Sequence, residues 1–269
     1  MWFTDLRQRL DQSRFYDQAM RVPLIAYSLF VLFVDVVAFL DVALAHSSPL
    51  RAPDVGTVIT VLARMCQWLF IVLFAVLPIF RLRPIAKSDS VLPRLAPFAA
   101  IIVAPLFLFL ERAPPNLVYN LISVTLSLIA GATAVVTLSF LGRSFSIMPE
   151  ARRLVTDGPY KLVRHPVYLC EILIVFAMFL QYRSLAAAAL LVSIAGIELV
   201  RASYEEAVLA QAFPEFEVYR RRTSFMLPRN PIRFFAMLLE DRAVLRRLAL
   251  VMIGALGLAA LMLSLPKFL

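Results

Sequence analysis

Apolar stretches as long as a bilayer is thick recur along this chain, and they leave few folds open to it. A hydrocarbon core of about 30 Å needs roughly 20 consecutive apolar residues per helix. Candidate spans fall at 23–45, 57–80, 95–111, 117–141, 166–182, 185–200 and 248–265. With 61% of its 269 residues hydrophobic, the chain has too little polar surface for a soluble domain of this size. The expectation is an all-α integral membrane protein of about seven transmembrane helices. The segment before Pro23 is mixed in charge, and the run after it is longer than the apolar core of a cleavable signal peptide, so no processing is expected.

The formal net charge of +9 then reads as a membrane property rather than a nucleic-acid one. Alternate connections collect 22 of the 27 basic residues, the opposite face holds four, and Arg64 lies within a span. The positive-inside rule puts the N-terminus and the basic loops in the cytoplasm, and seven spans put the C-terminus outside. Arginine heavily outnumbers lysine, which points to a GC-rich bacterial genome and so to a bacterial inner membrane.

Three regions follow. Residues 1–115 hold an amphipathic, interfacial arm (Leu6, Leu10, Phe15 and Met20 among charges) and the first three spans, the third carrying Pro97 and Pro105. Residues 116–235 hold the chemistry, and 236–269 a basic segment and the last span. Asp35, Asp41 and Arg64 sit in otherwise apolar spans, where an unpaired charge is costly. Counted from the cytoplasmic ends, Asp41 and Arg64 come closest in depth. Two readings stand for these charges, a structural ion pair and a place on a substrate path. Cys66 and Cys170 lie in apolar runs and read as packing residues. His46 and His165 are far apart, so no metal site is expected.

The chemistry centres on residues 158–168, Gly-Pro-Tyr-Lys-Leu-Val-Arg-His-Pro-Val-Tyr. Pro166 opens a long apolar run and suits the first helical position, where its missing N–H is no loss. His165 becomes the capping residue, and Arg164, His165 and Tyr168 gather at a helix N-terminus that favours an anion. The Gly158-Pro159 turn delivers Tyr160 to the same place. The next two spans form a hairpin turning at Tyr182-Arg183-Ser184, which brings Glu198, Arg201, Glu205 and Glu206 back to that membrane face. Spacings of three and four align Glu198, Arg201 and Glu205 on one helical face. With only seven glycines and no Gly-x-Gly-x-x-Gly, a soluble dinucleotide fold is excluded. No Ser/His/Asp grouping with a glycine elbow is present.

The string from Leu154 through Arg164-His165-Pro166-Val167-Tyr168 to Glu205-Glu206, continued by Leu209, Phe213 and Tyr219, resembles a known family. These are the membrane-embedded methyltransferases that include isoprenylcysteine carboxyl methyltransferase and the phospholipid N-methyltransferases. The resemblance implies an S-adenosylmethionine pocket open to the cytosol, built from the C-terminal half, with separate access for a lipid from the bilayer. It implies that Leu154, Val155, Tyr160, His165, Pro166, Val167, Tyr168 and Glu205 bind the cofactor. Arg201 matches the position that faces the methyl acceptor. An amine acceptor would need a base, for which Glu206 or Glu198 is the candidate. Arg201 could instead hold a carboxylate such as that of isoprenylcysteine, the acceptor slightly favoured here. The chain departs from the eukaryotic carboxyl methyltransferases in having Leu169-Cys170-Glu171 after the tyrosine, and in its span after residue 247.

Two other classes compete with methyl transfer. An NADPH-dependent membrane reductase could share a related helical core, with Arg152 and Arg153 meeting a 2′-phosphate. A non-catalytic scaffold or transporter could use Asp35, Asp41 and Arg64, but it leaves the string at 154–168 without a purpose.

Overall fold

The computed structural model of the protein describes residues 21–45, 55–88 and 91–264. The expected interfacial arm therefore lies, but for its last two residues, outside the described residues. Nine α-helices are formed by the described residues: α1 (Val22–Ala45), α2 (Val55–Val76), α3 (Val91–Val103), α4 (Leu117–Leu141), α5 (Pro166–Tyr182), α6 (Leu185–Ala212), α7 (Phe216–Arg222), α8 (Pro231–Glu240) and α9 (Arg242–Ser264). Five of them, α1, α2, α4, α6 and α9, are long and apolar enough to cross a membrane. The other two expected spans are shorter. After α3, which contains Pro97, the chain tightens into a 3-10 segment at Ala104–Phe109 with Pro105 in its first turn. The 17 residues of α5 rise about 25 Å, short of a full hydrocarbon core.

Local chemistry sets the ends of these helices. Asn116 caps α4, its side chain accepting from the amides of Val118 and Tyr119 at 3.1 and 3.2 Å. Gly142, at φ +49°, ends it. Arg183 takes the left-handed conformation at the end of α5, and Ser184 at once caps α6 by accepting from the Ala187 amide. So the hairpin turns where the sequence says it must. Its second arm is longer than the span expected at 185–200. Nothing breaks the helix before Pro214, and α6 runs 28 residues, carrying Glu198, Arg201, Glu205 and Glu206 on one continuous rod.

Helices α2, α4 and α9 share the main core, with Met65, Cys66, Trp68, Val135, Val136, Phe140, Val244 and Val251 packed together. A second core joins Phe107 to Val175, Tyr182, Ala187 and Ile194 at the far end of the α5–α6 hairpin. Both cysteines are buried and free. The all-α expectation needs a small correction. Ala86–Lys87 (β1) and Glu150–Ala151 (β2) pair antiparallel, tying the connection after α2 to the one after α4. Two residues per strand carry no periodicity to read.

The charged pair in the first spans also needs correcting. Arg64 lies 3.8 Å from Asp35, whose other oxygen accepts from the Trp68 indole, whereas Asp41 is exposed. The cause is a helix end. α2 stops at Val76 rather than at 80, so Arg64 lies twelve residues from that end, and Asp35 lies thirteen from Val22. Arg64 → Leu is expected to lower detergent stability by about 1–3 kcal/mol by orphaning Asp35. A double-mutant cycle should find coupling with Asp35 and none with Asp41.

Gly158 is held at φ +60°, and a Cβ there would come within 2.6 Å of the Phe140 ring. Substitution is doubly penalised, by backbone strain and by a ring that cannot retreat into a packed core. Gly158 → Ala is expected to lower the melting temperature, at a cost of about 1–3 kcal/mol. Gly196 → Ala, with open space around it, should not.

Candidate active site

The segment leading into α5 is fastened on both sides before it reaches the helix. Val163 bridges Ser224 in parallel, the Arg164 and His165 amides donate to the carbonyls of Ser224 and Phe225 at 2.9 and 3.1 Å, and Ser224 donates to Leu162. This strip presses the end of the 142–165 loop against the chain that follows α7. Pro166 then starts α5 at its first position, with His165 at the cap. Upstream, the Gly158–Lys161 turn buries Tyr160, and the Tyr219 hydroxyl donates to the Tyr160 carbonyl at 2.8 Å. Burial pushes both phenols above their ordinary range, so Tyr219 stays protonated and able to donate.

At the head of α5 the side chains meet the paired glutamates of α6. Arg164 donates through Nε to Glu206 at 2.6 Å and through a terminal nitrogen to the carbonyls of Thr223 and Arg220 at 2.7 and 3.0 Å. His165 Nε2 is 3.1 Å from the same Glu206 oxygen. The Tyr168 hydroxyl donates to Glu205 at 3.0 Å. The two glutamates thus divide the work. Glu206 is taken up by Arg164 and His165, while Glu205 keeps 31% of its side chain exposed.

One turn earlier on α6 a second charged group is buried. Arg201 pairs with Glu198 at 2.7 Å, lies 3.8 Å from Glu171 of α5, and stacks 4.9 Å above the Tyr168 ring. Arg201 Nε and one Glu171 oxygen are buried and find no hydrogen-bond partner among the described residues. Buried polar atoms normally have partners, and these two belong to side chains that line a cleft.

That cleft has two lobes, of about 460 and about 510 Å³ counted to their open mouths. Tyr160, Arg164, His165 and Glu205 belong to both, with Leu141, Ser144 and Glu150. The first lobe continues past Arg153, Leu154 and Val155 of the loop to Leu209, Phe216 and Tyr219. The second continues along α5 and α6 past Val167, Tyr168, Glu171 and Arg201 to Phe74 and Phe145.

Of the residues singled out in the sequence, Leu154, Val155, Tyr160, His165, Val167, Tyr168, Arg201 and Glu205 line this cleft. Pro166 is buried at the start of α5 without lining it. Glu198 lies behind Arg201 at 2% exposure, and Glu206 is engaged beneath His165. Arg152 is buried and paired with Glu150, leaving Arg153 as the nearby cation on the first lobe. Sequence reasoning gave no site role to Glu171, although a lone carboxylate in an apolar run, three residues after Tyr168, is itself a signal. Glu150, Phe74 and Phe145 arrive from distant segments and carry none. Among the described residues no group of three or more His, Cys, Asp or Glu side chains could hold a metal ion.

Comparison with known proteins gives partial relatives. The chain is 38% identical over 99 residues to a cobalt-zinc-cadmium resistance protein, CzcN, of Cupriavidus metallidurans. It is 32% identical over 101 residues to a nickel-cobalt-cadmium resistance protein, NccN, of Alcaligenes xylosoxydans xylosoxydans. Each alignment covers 35% of this chain and 46% of the relative, so the chain spans about half the length of the curated relatives it matches. The stretch from the α4 cap to Glu215, residues 116–215, matches the family model described as phospholipid methyltransferase.

Proposed function

We propose that the protein transfers a methyl group from S-adenosylmethionine to a lipophilic acceptor resident in the membrane. The observation that carries this reading is the shared wall of Tyr160, His165 and Glu205 between two lobes. Methyl transfer is an in-line displacement in which donor and acceptor must meet across one boundary, so positioning and exclusion of water supply most of the acceleration. The first lobe offers what the cofactor needs. Leu154, Val155, Leu209 and Phe216 would take its apolar and purine surfaces, Tyr160 its sulfonium side, with Tyr168 meeting that side from the second lobe, and Glu205 its ammonium. The cofactor, when bound, supplies the electrophilic methyl. Glu206 acts through Arg164 and His165, holding the wall in place.

The second lobe would take the acceptor, and its charges favour an amine over the carboxylate that Arg201 alone suggests. Glu198 already neutralises Arg201 at 2.7 Å, and Glu171 adds a second carboxylate. An incoming carboxylate would meet two carboxyl groups already gathered on one guanidinium, whereas an amine can donate to them. Glu171, with one buried oxygen that accepts no hydrogen bond, is the group positioned to take the amine proton. The cleft opens among the basic loops, the side the positive-inside rule assigns to the cytoplasm, here of a bacterial inner membrane.

Calorimetry on detergent-purified protein should find saturable S-adenosylmethionine binding that Glu205 → Ala weakens at least about tenfold, near 1.4 kcal/mol, without loss of fold. Binding of NADPH in its place would move the protein to the reductases and refute methyl transfer.

Methyl-labelled cofactor supplied with membrane amines should give base-stable product. Glu171 → Gln should lower kcat by about 10²-fold or more while cofactor affinity holds. A base-labile methyl ester as the product would reject the amine assignment.

A further inference from the structure

Helices α8 and α9 lie beyond the segment that matches the methyltransferase family, yet α9 packs on the turn that carries Tyr160, and Leu238 of α8 packs against the same cluster. Three contacts make the connection. Lys161, the last residue of that turn, places its ammonium 2.6 Å from Asp241. Asp241 is the joint between α8 and α9. Its amide donates to Met237 at the end of α8, and its other carboxylate oxygen caps α9 by accepting from the Ala243 and Val244 amides at 2.9 and 3.3 Å. The Lys161 hydrogen bond holds the Asp241 carboxyl below its ordinary range. One turn along α9, the Arg247 guanidinium stacks 3.7 Å from the centre of the Phe140 ring and donates to Ser139 at 3.0 Å. Phe140 is the ring on which Gly158 rests. Val244, Phe140 and Tyr160 belong to one buried cluster, with Val155 of the same loop packed against it.

The turn is thus gripped from outside at Lys161 and supported from beneath through Phe140. It carries Tyr160 of the first lobe's wall, and it is a single short turn whose Tyr160 amide donates to Asp157 and after which the Leu162 and Val163 amides donate to Pro159. A one-turn 3-10 element with glycine and proline at its start has little stability of its own. We propose that the α8–α9 hairpin is a strap for the cofactor lobe, in which Lys161, Asp241 and Arg247 are positioning residues that hold the Tyr160 turn in its binding conformation. They act through the turn and touch neither substrate. The inference rests on the methyl-transfer reading for its ligand, and on the packing for its geometry.

The test uses the full-length protein in detergent, with S-adenosylmethionine as the probe. Asp241 → Asn keeps the cap, since asparagine caps as well as aspartate does, and removes the charge. Lys161 → Met removes the other partner from a side chain that is 48% exposed and outside any long helix. Each is expected to raise the cofactor Kd and KM about threefold at low salt, in line with an exposed ion pair, with kcat at saturation unchanged. The difference should shrink at high salt, and Lys161 → Arg should restore wild-type affinity. Hydrogen exchange at residues 158–163 should speed up in both variants while exchange in α4 and α6 stays fixed. Wild-type affinity together with wild-type exchange at 158–163 in both variants would overturn the strap and leave the cofactor site standing. Failure of the wild-type protein to bind the cofactor would instead refute the methyl-transfer reading, and exchange in the turn would still decide the strap. Should Asp241 → Asn not fold, Lys161 → Met decides alone.

Discussion

Arg164 is the fastening on which the cleft depends. Its guanidinium reaches Glu206 on α6 and two carbonyls at the end of α7, while its amide is bound to Ser224. Three separate stretches of chain, the start of α5, the end of α6 and the segment after α7, meet on this one side chain. The planar fork of arginine makes this possible, because several donors leave one group in fixed directions. His165, Tyr168 and Glu205 inherit their positions from that junction. Without it the hairpin would still span its distance, but its two charged ends would have no common register.

A second constraint is the burial of opposite charges in an apolar setting. Glu150 with Arg152 and Glu198 with Arg201 keep charged groups buried by close pairing, while Asp35 accepts from Trp68 and lies 3.8 Å from Arg64 in a half-buried setting. A buried pair stabilises little by itself and is chiefly costly to break. The Arg201 group differs from the others in carrying a second carboxyl group, Glu171, and it shares the lining of the cleft with Glu150. A second acid beside an already paired guanidinium, kept where a ligand can reach it, is the arrangement expected of a site and not of a fold.

Much of this was legible in the residues. The proline after His165, the glycine at 158 and the tight turn at 182–184 act locally, and each has one structural outcome that spacing alone predicts. The loop beside the cleft and the two ends of the hairpin follow from them. What resisted reading was depth and distance. The partner of Arg64 depended on where α2 stops, which four residues at its end decided. The third apolar run is shorter as an α-helix than as hydropathy, because the chain tightens into a 3-10 segment at Pro105, whereas the fifth keeps its expected bounds of 166–182 and is short of a full hydrocarbon core in both. Phe74, Phe145 and Glu150 join the cleft through tertiary packing, so no pattern near them announces it. Glu171 was visible as an isolated carboxylate, but its meaning needed Arg201 beside it.

The unbroken length of α6 has one further consequence. At 28 residues it extends about 42 Å, more than a hydrocarbon core requires. Helices of surplus length adapt to bilayers of different thickness by tilting. Glu198, Arg201 and Glu205 ride on this same rod, so a tilt carries all three with it as a rigid body. The spacing between them is then a property of helix pitch alone. Membranes that thicken or thin with temperature or lipid composition would change how the molecule sits without changing the distance across its shared wall.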